Sequence, residues 1–417
     1  MTGIINGRIP NKPMRIALLS HALRGGGSIS VGQNLIAALG RIAPDEKYLV
    51  SVPGERGYET ICRGLPDREI VPLEDHSWMG RWLFERRTLP ARLERFRPKV
   101  IAGLGGVAYQ GKTSAPQAIL VHWPHLVYPR RHFGRSISFK AFLRIYLKRR
   151  LFVRDLGRVR MLFAPTRVME DRIRRIYGYP GPATVLPNAV SRFIRKLDGP
   201  APVPEPLRTY GDRFKLFCLA RYYPHKNIEV LVDLFDRYRR ELRGTVLFLT
   251  VSGKDHPAVR GLLRRIREKG LEGTIVNIGS RWLQPELENY FRNVNALLLP
   301  SLMEVFSGSY LEAMNYGVPI LTSDLDFAQE VCGKAALYFD PWAPASVLEA
   351  IMRLRNSPGT AEALIRAGRE RAEGYFIDWD RVAEIFLAAL RSMTGEDGLE
   401  TDPRGDSARD GRLDRIS

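Results

Sequence analysis

The chain has 417 residues, 45% hydrophobic and 26% charged, a size and balance that suit a soluble protein of two ordinary domains and exclude a disordered chain. No run approaches the roughly 18 uninterrupted apolar residues that cross a bilayer. Met1 to Pro13 has no apolar signal core, and Cys62, Cys218 and Cys332 lie too far apart for a metal-ligand spacing, which fits a reducing compartment. The net charge of +19 asks for an anionic partner: a membrane surface, a nucleic acid or a phosphorylated substrate.

In chain order, Met14 to Leu19 is a short buried strand by its apolar run. It enters the turn Gly25-Gly26-Gly27-Ser28, and Ser28 is a candidate cap for a helix to about Leu39, with Val31, Leu35, Ala38 and Leu39 on one face. Strand, glycine-rich turn and helix make an anion-binding geometry, because glycine lets the backbone approach a ligand and the helix start has free N–H groups. A plain flexible turn accounts for the same glycines, and the three spaced glycines of a dinucleotide fold are absent. Further strands are predicted at 48–52, 69–72, 100–102 and 118–121, with helical segments between them, so the reading is an α/β domain with a parallel sheet. The last of these strands ends in His122-Trp123-Pro124-His125. Strand-terminal residues face the ligand side of such sheets, which makes His122 and His125 candidates beside the alternative of ordinary satisfied histidines.

From Tyr128 to Arg160 arginines and lysines crowd together against the single acid Asp155. On a helix from about Ser138, Phe139, Phe142, Leu143, Tyr146 and Leu147 recur at three and four, with Arg144 and Lys148 on another side. Two readings stay open: a basic amphipathic helix on a membrane surface, or a core-facing helix with a solvated basic back. Leu162 to Ala164 is the next strand, and Thr166 is a candidate cap for the helix carrying Val168, Ile173 and Ile176. Residues 183–190 give another strand, and the proline-rich stretch 191–212 reads as a linker.

After the linker the alternation restarts. A strand at 214–219 runs into Ala220-Arg221-Tyr222-Tyr223-Pro224-His225-Lys226-Asn227 and a helix through Tyr238. Strands follow at 246–251, ending in Ser252-Gly253-Lys254, and at 275–278, ending in the loop with Arg281. A helix at 285–293 leads to the strand 296–299 and the string Pro300-Ser301-Leu302-Met303-Glu304-Val305-Phe306-Ser307-Gly308-Ser309-Tyr310-Leu311-Glu312-Ala313-Met314. Ser307 or Ser309 is the candidate cap of a helix that stops at Asn315-Tyr316-Gly317-Val318-Pro319, before a strand from Ile320. Two glutamates eight apart have a plain reading as loop and first-turn acids. The whole string carries more.

That string resembles the signature of the retaining glycosyltransferase family 4, also called group 1: Pro-Ser, two residues, Glu, seven residues, Glu-Ala-Met, then Gly-x-Pro. Arg221 with Lys226 five residues on, and the strand ending in Pro187-Asn188-Ala189-Val190, are similar to further family motifs, with Ala189 in place of the family's glycine. The resemblance implies the α/β GT-B architecture, two Rossmann-like domains facing across a cleft, with a C-terminal helix crossing back to the first. It divides the chain into 1–190 on the acceptor side, the linker 191–212, a nucleotide-sugar domain 213–375, a crossover helix 376–393 and a disordered tail 394–417.

The implied activity is transfer of a sugar from a nucleotide-sugar donor to an acceptor hydroxyl, with retained configuration and neither metal nor cofactor. Arg221 and Lys226 would hold the diphosphate and help it leave, Glu312 would accept hydrogen bonds from ribose, and Glu304 would contact the donor sugar. Phe306, Ser307, Gly308, Gly253 and Arg281 would line the donor site; His122 and Gly25, Gly26, Gly27 and Ser28 would complete the cleft from the first domain. Where the family often has Gly-Phe-Gly, this chain has Val305-Phe306-Ser307 with Gly308 one later, which alters the sugar pocket. Asp324-x-Asp326 lies where the family has a loop near the diphosphate, and no metal is expected there. The implied partners are a glycan or lipid-linked acceptor of the bacterial envelope and an anionic membrane surface met through 130–160, in a cytoplasmic setting on the inner face of the membrane. The rival readings are a nucleic-acid binder, for which no recognised module is present, and a sugar-nucleotide epimerase of the same architecture.

Overall fold

Short apolar runs become fully parallel strands, because a strand covered on both faces needs no polar alternation. The computed structural model describes residues 13–23, 26–54, 57–135, 137–189, 199–254, 256–280, 287–375 and 378–395. The first sheet contains β1 (Arg15–Leu19), β2 (Lys47–Pro53), β3 (Asp67–Leu73), β4 (Val100–Gly103), β5 (Gln117–Leu120), β6 (Met161–Ala164) and β7 (Ala183–Val185), in the order β3-β2-β1-β4-β5-β6-β7. The second contains β8 (Phe214–Cys218), β9 (Thr245–Leu249), β10 (Ile275–Asn277), β11 (Ala296–Leu299), β12 (Ile320–Ser323) and β13 (Ala336–Phe339), in the order β10-β9-β8-β11-β12-β13. In both sheets the chain starts in the middle, winds one way, then returns and winds the other, which leaves a crevice at the strands' carboxyl ends.

Alternate residues of the first sheet face opposite layers. Ile16, Leu18, Ala102, Leu120 and Phe163 pack beneath the helices 26–42 and 379–392. Helix Trp379–Ser392 is capped by Asp378, which accepts from Arg381 N at 2.8 Å, and sets Phe386 against Phe163 with ring centroids 4.9 Å apart. Burial of Val382, Phe386, Leu387 and Leu390 contributes about 1.5–3 kcal/mol each before entropy. Arg391 bonds Glu46 at 2.5 Å. The last helix therefore crosses back to the first sheet, as the resemblance implies.

Two local expectations change, and the core-facing alternative for the Phe139, Leu143, Tyr146 and Leu147 face is overturned. The first long helix starts at Gly26, so Ser28 sits inside its first turn and is not its cap. Ser307 occupies the cap position of helix Gly308–Tyr316, yet its side chain makes no cap bond, and Ser309 Oγ reaches across to Leu219 O at 3.3 Å. In helix Phe139–Leu156, capped by Ser138, the sheet takes Ile145, Phe152 and Leu156; Phe139, Leu143, Tyr146 and Leu147 point outward and Phe142 is partly buried. Thr166 does cap its helix, accepting from Met169 N at 3.2 Å.

The two sheets share apolar packing. One continuous cluster runs from Ile119 and Val121 through Tyr128 and Phe133 to Leu216, Phe217 and Tyr222. Gly134 stands at that junction with φ +85°, and a Cβ there would lie 2.0 Å from Pro224 O. Gly134→Ala is expected to cost more than the ~1–2 kcal/mol of a left-handed alanine, because the Pro224 backbone must also move; urea unfolding measures it, and an unchanged midpoint refutes this close approach.

Candidate functional site

β8 and β11 are neighbours, Leu216 opposite Ala296, so the loops leaving them adjoin. Past β8 the chain places Arg221, then a 3-10 turn Pro224–Lys226 whose exit, Asn227, takes φ +54° and donates from Nδ2 to Pro341 O at 2.7 Å. Leu302 N donates to His225 O at 2.8 Å and holds the two loops together. Lys226 Nζ meets Glu304 Oε1 at 2.5 Å, with the two side chains 13% and 11% exposed. A lysine ammonium carries three N–H groups, so one bond to Glu304 leaves capacity for a further acceptor.

Behind them, Tyr310 Oη and Thr322 Oγ1 lie 2.6 Å apart, and Thr322 donates to Leu299 O at 3.1 Å. This buried relay fixes helix Gly308–Tyr316 over β11 and β12. Gly317, with φ +67°, ends the helix, and Val318 N closes the turn on Ala313 O at 2.8 Å. Glu312 projects from that helix half-buried, and among the described residues none donates a hydrogen bond to it. Burial alone raises its carboxyl to about 7. Phe306 is half-buried, Ser307 buried, and Gly308 faces open space, with no atom within 4 Å of an added Cβ. Gly253 is exposed in the turn after β9; an added Cβ would meet only Arg260 Cγ, at 3.8 Å, so protein packing does not require glycine there. Arg281 lies outside the described residues.

From the first domain, His122 follows β5. Its Nε2 is buried with no partner among the described residues, and burial pulls its pKa down to about 4. His125 stacks on Trp123 at 5.3 Å and meets His225 edge-on at 5.2 Å; His225 lies flat on Tyr223 at 5.5 Å. Burial first, then neighbouring cations, hold both rings at about 3. The three imidazoles are thus neutral at pH 7, and the positive charge beside them comes from Lys148 and Arg149 next to His125 and from Lys226 next to His225. Gly26, Gly27 and Ser28 form the first turn of the 26–42 helix, with nothing within 4 Å of a Cβ at Gly27; Gly25 lies outside the described residues.

Sequence reasoning missed the residues that join the two rims. Asp326 accepts from Tyr128 Oη at 3.0 Å and Arg172 Nε at 2.8 Å, and Arg172 lies over the Tyr128 ring at 4.2 Å. The second aspartate of Asp-x-Asp therefore answers a first-domain arginine and tyrosine. Glu330 accepts from the backbone N–H groups of Arg167 and Val168 at 2.6 and 2.7 Å, so a second-domain carboxylate caps a first-domain helix. Thr166 Oγ1 reaches Val305 O at 3.4 Å, touching the signature loop directly. No local signal marks such pairs, because their partners lie some 140 to 200 residues away. Among the described residues no three His, Cys, Asp or Glu are grouped to hold a metal. Two concavities, at Lys112, Arg158 and Arg160 and at Arg213, Asn295 and Arg355, open near the strands' N-terminal ends, away from the crevice.

The second half matches the family model described as "Glycosyl transferases group 1" over residues 203–371, and the first half the model "Glycosyltransferase Family 4" over 36–192. Glycogen synthase of Mycobacterium tuberculosis is 26% identical over 231 residues, 54% of this chain and 53% of that protein. The chain thus spans about half the length of the curated relatives it matches. Among solved structures, sucrose-phosphate synthase of Thermosynechococcus elongatus superposes with a TM-score of 0.69 at 17% identity, covering 91% of this chain and 99% of that one. HepE of Anabaena, solved with UDP-glucose, gives 0.67 at 15% identity, covering 91% and 100%. With two parallel α/β sheets facing across a crevice, a last helix returning to the first, and both halves matched, the chain belongs to the group 1 glycosyltransferases and has the GT-B fold.

Proposed function

We propose that the protein is a metal-independent, retaining hexosyltransferase, taking a sugar from a nucleotide-sugar donor bound on the second domain's rim. The observation that carries this reading is the 2.5 Å Lys226–Glu304 pair at adjoining strand ends, with Arg221 and Glu312 on the same rim. A diphosphate leaving group gains charge as the glycosidic bond breaks, and fixed cations at Arg221 and Lys226 oppose that charge without reorganising. Glu312, ionised, accepts from ribose hydroxyls, and Glu304 accepts from hydroxyls of the donor sugar while steadying Lys226. His122, Gly26, Gly27 and Ser28 close the cleft opposite. With Glu304 engaged by Lys226, retention is assigned to attack on the face the diphosphate leaves.

HepE, solved with UDP-glucose, makes uracil the first base to test. The acceptor is a glycan or lipid-linked hydroxyl of the cell envelope, a reading supported by the basic stretch 130–160, which would meet an anionic membrane from the cytoplasmic side. No described helix is long and apolar enough to cross a membrane. Thermal stabilisation by UDP-, GDP-, ADP- and TDP-sugars tests the donor site. One nucleotide series is expected to raise Tm, and Glu312→Ala and Arg221→Ala to remove the shift. If no nucleotide shifts the wild type, the donor assignment fails; where one does, the anomer of the product made from it, read by NMR, decides retention.

A further inference from the structure

Helix 139–156 leaves uncovered what a helix on a water-facing domain normally hides. Phe139, Leu143, Leu147 and Leu151, four apart, are 47–80% exposed. Lys140, Arg144, Arg150 and Arg154 share that outward side, and the only acid of the helix, Asp155, is turned inward to Ala108 N and Gln110 Nε2. Arg150 lies by the exposed Tyr146 ring and bonds its hydroxyl at 3.3 Å.

A second segment repeats the pattern. Met79, Trp82 and Leu83 are 37–52% exposed, and Arg86 covers the Trp82 ring at 5.2 Å. Its one acid, Glu85, is 31% exposed and paired with Arg81 at 2.6 Å and His21 at 3.3 Å; Glu74 and Asp75, just before the segment, are exposed. Both segments lie on one side of the first sheet. Phe84 and Leu89 pack with Ile101, and Ile145 and Phe152 with Ile119; Ile101 pairs with Gln117, so Ile101 and Ile119 face the same way. The opposite side is taken by helices 26–42 and 379–392.

We infer that this side of the first domain is a two-point docking face for an anionic lipid leaflet: the Phe139–Leu151 row and the Met79–Leu83 segment enter the acyl boundary while the flanking arginines and lysines meet lipid phosphates. The inference rests on the membrane reading of 130–160 and adds the second contact, which fixes how the domain sits on the surface. The basic helix 139–156, with its one acid Asp155 turned inward, complements an anionic surface. An exposed leucine row with a tryptophan and a tyrosine suits the boundary between headgroups and acyl chains. A nucleic acid would leave that row in water, and a second copy would bring like charges together.

The test is flotation of the full chain with vesicles of phosphatidylcholine with and without phosphatidylglycerol. Binding is expected to be at least about 10-fold tighter with phosphatidylglycerol. Leu143→Ser with Leu147→Ser, which leaves the charge unchanged, is expected to lose at least about 10-fold, and Trp82→Ser several-fold. Wild-type chain that stays with the lipid-free fraction overturns the inference, as does a double variant that floats like wild type. Equal loss for Trp82→Ser and for a control Val203→Ser on the linker overturns the second contact. Tighter binding to an oligonucleotide than to vesicles at the same salt also overturns it. The nucleotide-sugar thermal shift is run on the same variants: retained with lost flotation, it confirms a folded donor site and assigns the loss to the docking face; absent in wild type, it sinks the transferase reading and leaves the vesicle result standing.

Discussion

Lys226→Ala is expected to lower kcat/KM for the donor by about 100- to 1000-fold, the loss seen when one fixed group opposing developing charge is removed. Most of it should fall in kcat, because the leaving diphosphate is more charged in the transition state than in the ground state. The same change leaves Glu304, 11% exposed, without its cation, so stability should drop too. The double variant Lys226→Ala with Glu304→Gln separates the two effects. It is expected to regain stability, since the stranded charge is gone, and to regain none of the rate. If the single variant turns over within about threefold of wild type, Lys226 does not oppose leaving-group charge.

Glu312 predicts opposite pH responses for stability and for binding. Its carboxyl is raised by burial from 4.5 to about 7 in the folded protein. Between those values the folded state holds a proton that the unfolded state has released, so stability falls as pH rises through this window and stays lower above it. The full difference is up to about 3 kcal/mol. Glu312→Gln is therefore expected to raise the Tm of the nucleotide-free protein at pH 8 and to leave it unchanged at pH 4. Donor affinity should move the other way: in wild type it increases as pH rises through about 7, because the ionised carboxylate is the better acceptor for ribose hydroxyls, and in Glu312→Gln it is weak and flat with pH. A variant no more stable than wild type at pH 8 refutes the burial penalty; an unchanged donor affinity refutes the ribose contact.

The strands were legible because a strand covered on both faces reads as an unbroken apolar run, as in Leu297–Leu299 and Ile16–Leu19. Arg221, Lys226, Glu304 and Glu312 could be named as candidates because they stand in the loops and the helix that follow β8 and β11, and parallel sheets bring strand ends together. Helix starts were less so: Ser28 and Ser307 have the right residue type for a cap, but Ser28 lies inside its helix and Ser307 makes no side-chain cap bond.

The sequence by itself determined the two parallel sheets and the family, and named Arg221, Lys226, Glu304 and Glu312 as candidates, since each depends on residues near one another in the chain. Only the tertiary structure decided that Asp326 answers Tyr128 and Arg172, that Glu330 caps a helix of the other domain, and that Lys226 is paired with Glu304. It alone decided which side of helix 139–156 stays bare. Helical periodicity groups residues into faces, but which face is covered depends on what the sheet beneath offers, and here Ile119 and Leu162 take Ile145 and Phe152 while the Phe139–Leu151 row is left to whatever lies outside the domain.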